Sequence, residues 1–256
     1  MKKEIQFKKY QKRGADYHYR LIDKWNFREF NPFVKARYEK HVQLILKYIN
    51  LNKIRNKKIK VLDIGCGDGV LLYLLAKQLG KIKIEYYGID LSKEALDVAK
   101  IKIPFAKFYQ KGVYSTGFNN DFFDVIISSD VIEHVNFPEK MVKEMYRVSK
   151  KGSIIILGTP IRCTEKSTDT MHYHEFFQEE LKSLMDKFYQ PLTLIESHSL
   201  LPFLRYNTPL RIIGRKVSFF KYWINLQTYL GFNPFLREKQ NKIELFVYMF
   251  FIGRKK

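Results

Sequence analysis

The sequence predicts a doubly wound α/β fold with a seven-stranded, mostly parallel sheet and helices on both faces. Apolar segments of strand length alternate with segments of helical periodicity, and a glycine-rich turn joins the first of these strands to a helix. Strands separated by helices in this rhythm favour a parallel sheet. With 256 residues and a hydrophobic content of 46%, the chain is long enough to bury a full core.

The predicted elements follow one another regularly through the middle of the chain. Apolar side chains recur at helical spacing over residues 33–49, and a basic connector follows over residues 50–60. The elements predicted after it are strand 61–64, helix 70–79, strand 84–89, helix 93–100, strand 105–110, strand 123–128, helix 139–149, strand 153–157, helix 175–187 and strand 192–196.

The rhythm breaks after residue 200. The segment 201–241 is rich in aromatic and basic residues and is interrupted by prolines and glycines, and residues 210–230 have the pattern of an amphipathic helix. A last strand at 243–252 is expected to return to the sheet edge. The predicted organisation is an N-terminal helical lid (1–50), a cofactor-binding core (51–200), a basic aromatic insertion (201–241) and the final strand of the core sheet (242–256).

The net charge of +20 is concentrated at the two ends of the chain. Residues 1–60 carry +13 and residues 201–256 carry +9, which leaves −2 for the middle. Basic, aromatic flanks suit peripheral contact with an anionic membrane surface, a phosphorylated or lipid-linked substrate, or, less favoured, nucleic acid. They are equally compatible with a solvated surface and the small core of a lid, and the oligomeric state stays open.

Several classes of protein are disfavoured. The charged N-terminal residues lead into no apolar segment typical of a secretory signal, and no apolar run approaches the roughly 20 residues of a membrane-spanning helix. The two cysteines, Cys66 and Cys163, lie far apart and suit a reducing compartment. We therefore expect a cytoplasmic protein, with peripheral membrane association as an alternative. There is no phosphate loop of the G-x-x-x-x-G-K type and no evident Ser-His-Asp arrangement.

The strongest local signal is the segment VLDIGCGDG at residues 61–69. An apolar strand runs into a turn with three glycines, where the backbone can approach a ligand without a Cβ in the way. A second acid, Asp90, ends the next strand about 20 residues later, a position from which a carboxylate can accept both hydroxyls of a ribose. The glycine spacing differs from the dinucleotide pattern G-x-G-x-x-G, which disfavours NAD and FAD.

This segment resembles motif I of the class I methyltransferases, which have a Rossmann-like fold and use S-adenosylmethionine. The resemblance extends over about residues 50–200, through similar segments at 123–135, 147–160 and 174–181. It implies that the cofactor is held by Asp63, Gly65, Cys66, Gly67, Asp90, Leu91, Ser129 and Asp130. One departure is that Lys111-Gly112-Val113 stands where many relatives have an acid for the adenine amino group.

The segment Asp130-x-x-Glu133-His134 follows the strand at 123–128 and resembles a segment of the ubiquinone-pathway (type 11) and small-RNA 2′-O-methyltransferases. The resemblance implies catalytic roles for His134 and Glu133, with His134 a candidate general base. These residues, with His172 and His174 downstream, could instead hold a divalent metal, an alternative that is not favoured.

The sequence therefore predicts a S-adenosylmethionine-dependent methyltransferase, acting on an oxygen of a small-molecule, glycan or lipid-linked acceptor. One alternative is a metal-dependent RNA 2′-O-methyltransferase. The other is a non-catalytic cofactor-binding or membrane-associated partner protein, because the glycine turn and Asp90 argue for binding only.

Overall fold

The computed structural model describes residues 13–26, 28–49, 58–80, 83–162, 171–207, 210–212, 215–236 and 245–256. Cys163 and most of the basic connector lie outside these residues. The strands are β1 Ile59–Ile64, β2 Ile84–Asp90, β3 Lys107–Gln110, β4 Phe123–Ser129, β5 Ser149–Pro160, β6 Tyr189–Ser199, β7 Leu210–Ile212, β8 Arg215–Val217 and β9 Phe246–Lys255. The helices are α1 Tyr17–Ile22, α2 Pro32–Tyr48, α3 Val70–Leu79, α4 Lys93–Lys102, α5 Pro138–Val148, α6 Gln178–Asp186, α7 Leu200–Asn207 and α8 Phe219–Tyr229, with short 3₁₀ helices at Ile132–His134 and Pro234–Leu236.

Seven strands form one sheet in the order β3-β2-β1-β4-β5-β9-β6. The pairs from β3 to β5 are parallel, whereas β9 runs antiparallel to both β5 and β6. The order reverses direction at β1, so the carboxyl ends of β1 and β4 flank a crevice of the kind in which such sheets bind ligands. The predicted doubly wound, mostly parallel seven-stranded fold is confirmed.

Two expectations for the C-terminal part were wrong. The last strand does not lie at the sheet edge, because β9 is inserted between β5 and β6. Its run of buried residues is typical of an interior strand with both faces covered. The helix expected over 210–230 begins only at Phe219, because Leu210–Ile212 and Arg215–Val217 form the antiparallel strands β7 and β8. Apolar spacing alone does not distinguish these structures in short segments.

The core lies in two layers, one on each face of the sheet. Helices α2, α3 and α4 cover one face, while α5 and α6 cover the other. Alternate residues of a strand point to opposite faces, so Phe250 packs in the first layer and Phe251 in the second.

A smaller cluster attaches the segment after β6 to the domain. Ile224 of α8 packs with Ala36 of α2 and with Phe235. Phe203 and Tyr206 of α7 pack against the same cluster. Within the described residues, no helix combines the length and apolar character needed to cross a membrane.

Candidate active site

A cavity of about 1110 Å³ opens at the carboxyl ends of β1 and β4. Its walls combine the glycine turn after β1, the segment after β4, helices α1 and α2, and residues of α7 and β9. The predicted site residues that line it are Asp63, Gly65, Cys66, Gly67, Ser129, Asp130, Glu133 and His134. The other two predicted residues, Asp90 and Leu91, are not among its lining residues and lie at the end of β2.

The glycine turn has a backbone that only glycine adopts readily. Gly65 has φ +74°, and a Cβ placed on it would lie 2.3 Å from Cγ2 of Val131. The backbone N–H groups of Gly65 and Cys66 both donate to the carbonyl oxygen of Ile89, at 2.8 and 3.0 Å. The turn is therefore fixed against β2, and the close approach of Val131 excludes a side chain at Gly65.

Asp90 links the ends of β1 and β2. Its carboxylate accepts hydrogen bonds from the backbone N–H groups of Gly67 at 2.9 Å and Ser92 at 2.8 Å. Burial raises the pKa of Asp90, and these backbone hydrogen bonds oppose that rise. Leu91 beside it is half exposed.

The acid of the first strand, Asp63, is almost completely buried beneath the turn. Burial raises its pKa well above the ordinary value, and the negative charge of Asp90 adds to the rise. The thiol of Cys66 is also buried, and burial raises its pKa as well, so Cys66 is suited to packing rather than to nucleophilic chemistry.

After β4 the chain turns at Asp130, whose φ is +55°. Its carboxylate accepts a hydrogen bond from Nη1 of Arg37 at 2.6 Å and another from Oγ of Ser129 at 3.2 Å. Burial lowers the pKa of Arg37, but the surrounding groups, led by the charge of Asp130, together raise it above its ordinary value, so the guanidinium stays charged. This ion pair joins α2 to the segment that follows β4.

Glu133 lies in the 3₁₀ helix after β4 and is fully buried. Thr159 Oγ1 donates to its Oε2 at 3.0 Å, whereas Oε1 is buried and has no hydrogen-bond partner within the described part of the chain. Burial and the charge of Asp130 raise the pKa of Glu133 to about 8. His134, the next residue, has its ring 4.8 Å from that of His172.

Among the described residues, Glu133, His134 and His172 offer ligand atoms that all lie within 4.8 Å of one another. His172 Nδ1 also lies 2.6 Å from Oε1 of the buried Glu175, an interaction that can orient the ring. The other candidate ligands are engaged elsewhere, since His174 is paired with Glu180 and Asp130 with Arg37.

The sequence did not indicate the residues that attach α1 to the glycine-rich segment beside the crevice. Asp68, within the glycine-rich segment, is fully buried and accepts a hydrogen bond from the backbone N–H of His18 at 3.0 Å. Its other carboxylate oxygen lies 3.1 Å from Nδ1 of His18. The pair is 50 residues apart in sequence, and no local pattern indicates it.

The residues present fit S-adenosylmethionine. Gly65 and Gly67 present backbone without side chains at the cavity, Asp90 stands at the end of β2, and Asp63 lies buried beneath the turn. Together with the strand order, these features define an α/β protein that binds a nucleoside-type cofactor at the crossover point of its sheet.

Comparison with known families identifies the protein more narrowly. The model of a family described as a methyltransferase domain matches residues 55–207. The chain belongs to this family. The prediction of a class I S-adenosylmethionine-dependent methyltransferase is therefore confirmed.

Two curated relatives act on different atoms. The chain is 33% identical over 135 residues to the ubiquinone biosynthesis O-methyltransferase of Pelagibacter ubique (strain HTCC1062), over 51% of this chain and 53% of that protein. It is 32% identical over 149 residues to the norajmaline N-methyltransferase of Rauvolfia serpentina, over 55% of this chain and 49% of that protein. The chain thus spans about half the length of the curated relatives it matches.

Solved structures share the fold. A S-adenosylmethionine-dependent methyltransferase from Archaeoglobus fulgidus has a TM-score of 0.53 at 18% identity, covering 85% of this chain and 94% of that one. The 4+2 cyclase SpnF has a TM-score of 0.56 at 15% identity, covering 84% and 80%. Because a cyclase shares it, the fold alone does not define the reaction.

Proposed function

We propose that this protein transfers the methyl group of S-adenosylmethionine to an oxygen atom of a small-molecule, glycan or lipid-linked acceptor. The observation that carries the proposal is the single cavity that extends from the glycine turn at Gly65 and Gly67 to Glu133 and His134. A cofactor bound at the turn and an acceptor beside Glu133 would therefore lie in the same cavity.

An oxygen acceptor is favoured because the far end of the cavity holds groups that can take up a proton. A hydroxyl must lose its proton during methylation, and a positioned carboxylate or imidazole can accept it. Oε1 of Glu133 is buried in the cavity wall with no hydrogen-bond partner among the described residues, and His134 lies next to it. His134 could accept the proton of the acceptor hydroxyl. Glu133, whose pKa is about 8, could do so only in its deprotonated form, which predominates above that pH.

S-adenosylmethionine supplies an electrophilic methyl group on a sulfonium. The protein contributes alignment and exclusion of water, which can account for much of the rate of such a transfer. The ion pair between Arg37 and Asp130 fixes the wall between the two ends of the cavity. Helix α1, held by Asp68, covers the cofactor end.

The proposal is tested by incubating the protein with methyl-labelled S-adenosylmethionine and a panel of catechols, hydroxylated lipids and glycans. We expect transfer to a hydroxyl-bearing acceptor, with kcat reduced at least about a hundredfold in Glu133→Gln or His134→Gln. Cofactor binding should be retained in the variant that loses turnover. Binding without turnover across the whole panel would contradict the proposal and favour a non-catalytic cofactor-binding protein.

A metal-dependent RNA 2′-O-methyltransferase is the second candidate. The observation that favours it is the grouping of Glu133, His134 and His172, whose ligand atoms lie close enough together to bind one divalent ion. Titration with Mg²⁺, Mn²⁺ and Zn²⁺ would test it, with His172→Gln compared against the matched variant His174→Gln. Metal binding lost only in His172→Gln, together with salt-sensitive RNA binding, would support this candidate.

A further inference from the structure

Helix α8 carries an apolar stripe that faces outward. The residues of this stripe are Phe219, Tyr222, Trp223, Leu226 and Leu230, the last immediately after the helix, and all are exposed. At helical periodicity they fall within an arc of about 100°. The opposite side of the helix holds the buried residues Ile224 and Thr228. The helix is therefore anchored by one face and presents a second apolar face to its surroundings.

The stripe continues onto neighbouring segments. Trp25 packs edge-on against Tyr229 with ring centroids 5.2 Å apart, and it is 64% exposed. Phe232, just after the helix, is exposed as well. We call the surface formed by α8, Leu230, Phe232 and Trp25 the aromatic cap. Contiguous exposed apolar surface of this kind marks an interaction site.

The chemistry of the aromatic cap matches a membrane interface. Tryptophan and tyrosine combine an apolar ring with one polar group, which places them at the level of lipid headgroups. Lys24 lies at the rim, with its ammonium 5.6 Å from the ring of Trp25 and 4.9 Å from that of Tyr229. Helix α8 contains no acidic residue and includes Lys221, whose ammonium lies 5.8 Å from the ring of Tyr206. An anionic surface is thus complementary in charge and in polarity.

We propose that the aromatic cap docks the protein onto an anionic lipid bilayer. The rings and leucines of α8 enter the boundary between headgroups and acyl chains, while Lys24 and Lys221 contact the headgroup phosphates. Helix α8 lies in the plane of the interface and does not cross the bilayer.

Docking by this surface brings the cavity mouth near the lipid. Helix α7 packs against α8, and its Leu200, Phe203 and Leu204 line the cavity. Leu201 and Leu204 of the same helix are exposed. An acceptor carried on a lipid tail could therefore reach the cavity from the membrane. This consequence rests on the proposed function, whereas membrane docking itself does not.

The test measures binding of the full chain to lipid vesicles. Its two tryptophans, Trp25 and Trp223, are both exposed and both belong to the aromatic cap. We therefore expect vesicles of phosphatidylcholine and phosphatidylglycerol in equal parts to shift the tryptophan emission to shorter wavelength. Sedimentation should show the protein bound to these vesicles, weakly bound to phosphatidylcholine alone, and released as salt is raised.

The decisive variant is Leu226→Ser with Leu230→Ser, which removes apolar side chains from the stripe and leaves both tryptophans. We expect its partition onto anionic vesicles to fall by at least about tenfold. Ile101→Ser with Phe105→Ser is the matched control, since both residues are exposed apolar side chains outside the aromatic cap. It should bind vesicles like the wild type. Thermal unfolding and S-adenosylmethionine titration of both variants report folding and the cofactor site separately.

Two results would overturn the proposal. One is vesicle binding that the leucine variant retains in full. The other is a wild-type protein that binds neither kind of vesicle. If that protein instead forms a dimer in sedimentation equilibrium and the leucine variant abolishes the dimer, the surface belongs to a second copy of the chain.

Discussion

At the scale of single residues, Gly65 is required both by its backbone conformation and by its close approach to Val131. Alanine at this position has an unfavourable φ and a Cβ 2.3 Å from Val131 Cγ2. We expect Gly65→Ala to lower the free energy of unfolding by about 2–4 kcal/mol. It should also weaken S-adenosylmethionine binding. Urea denaturation and calorimetric titration measure the two effects.

Gly152 supplies the matched control. Its φ is +77°, but a Cβ on it would meet no atom within 4 Å. Gly152→Ala should therefore lower the free energy of unfolding by only about 1 kcal/mol and leave cofactor binding intact. If both variants lose the same free energy of unfolding, the contact between position 65 and Val131 does not contribute to the effect of Gly65→Ala.

A buried histidine predicts how stability depends on pH. Burial lowers the pKa of His41 to about 4, from 6.5 in the unfolded chain. Below about pH 6.5 the imidazole binds a proton in the unfolded state but stays neutral in the folded state. The free energy of unfolding therefore falls as the pH is lowered towards about 4. His41→Leu should lose this contribution to the pH dependence, which lowers the free energy of unfolding by at most roughly 3 kcal/mol. Urea midpoints across this range test it, and parallel curves for both proteins would contradict it.

At the scale of elements, the attachment of α1 to the glycine-rich segment depends on Asp68. Removing its carboxylate in Asp68→Ala eliminates both contacts with His18. We expect faster hydrogen exchange in α1 and about tenfold weaker binding of S-adenosylmethionine, because a charged acceptor typically contributes 1.5–3 kcal/mol. Exchange mass spectrometry and calorimetry measure these changes.

The variant His18→Ala is the comparison for this prediction. It removes the imidazole but keeps the backbone N–H that donates to Asp68 at 3.0 Å. Its effect on exchange in α1 should be smaller than that of Asp68→Ala. If Asp68→Ala leaves exchange in α1 unchanged, the helix is held by its other contacts.

At the scale of the whole molecule, β9 joins the two layers of the core. Phe250 and Phe251 are fully buried on opposite faces of the sheet. Phe250→Ala and Phe251→Ala should each lower the free energy of unfolding by about 3–5 kcal/mol. Phe105→Ala, at an exposed position, should change it by less than about 0.5 kcal/mol. A small effect at either β9 position would contradict a central role for this strand.

The features that could be predicted from the sequence are those whose residues lie close together along the chain. The glycine turn and Asp90 are recognisable because their residues lie within one strand-turn-helix unit and the next strand. The strand order is not, because β9 pairs with β5 across about ninety residues of sequence. Periodicity indicates that a strand exists but not where it enters a sheet.

The same limit applies to the candidate site. Glu133 and His134 were predicted from a local segment, while Arg37 meets Asp130 across 93 residues and His18 meets Asp68 across 50. Both of these pairs connect the N-terminal helices to the core. Side-chain pairs of this kind depend on the folded topology and have no local signature in the sequence.

The central claim is that S-adenosylmethionine binds at the glycine turn and is held by Asp90. Calorimetric titration of the cofactor into the wild type, Asp90→Ala and the exposed control Asp97→Ala tests it most directly. We predict binding by the wild type and Asp97→Ala, and binding weakened by at least about tenfold in Asp90→Ala. A folded wild-type protein that does not bind the cofactor, or an Asp90→Ala variant that binds it equally well, would contradict the account.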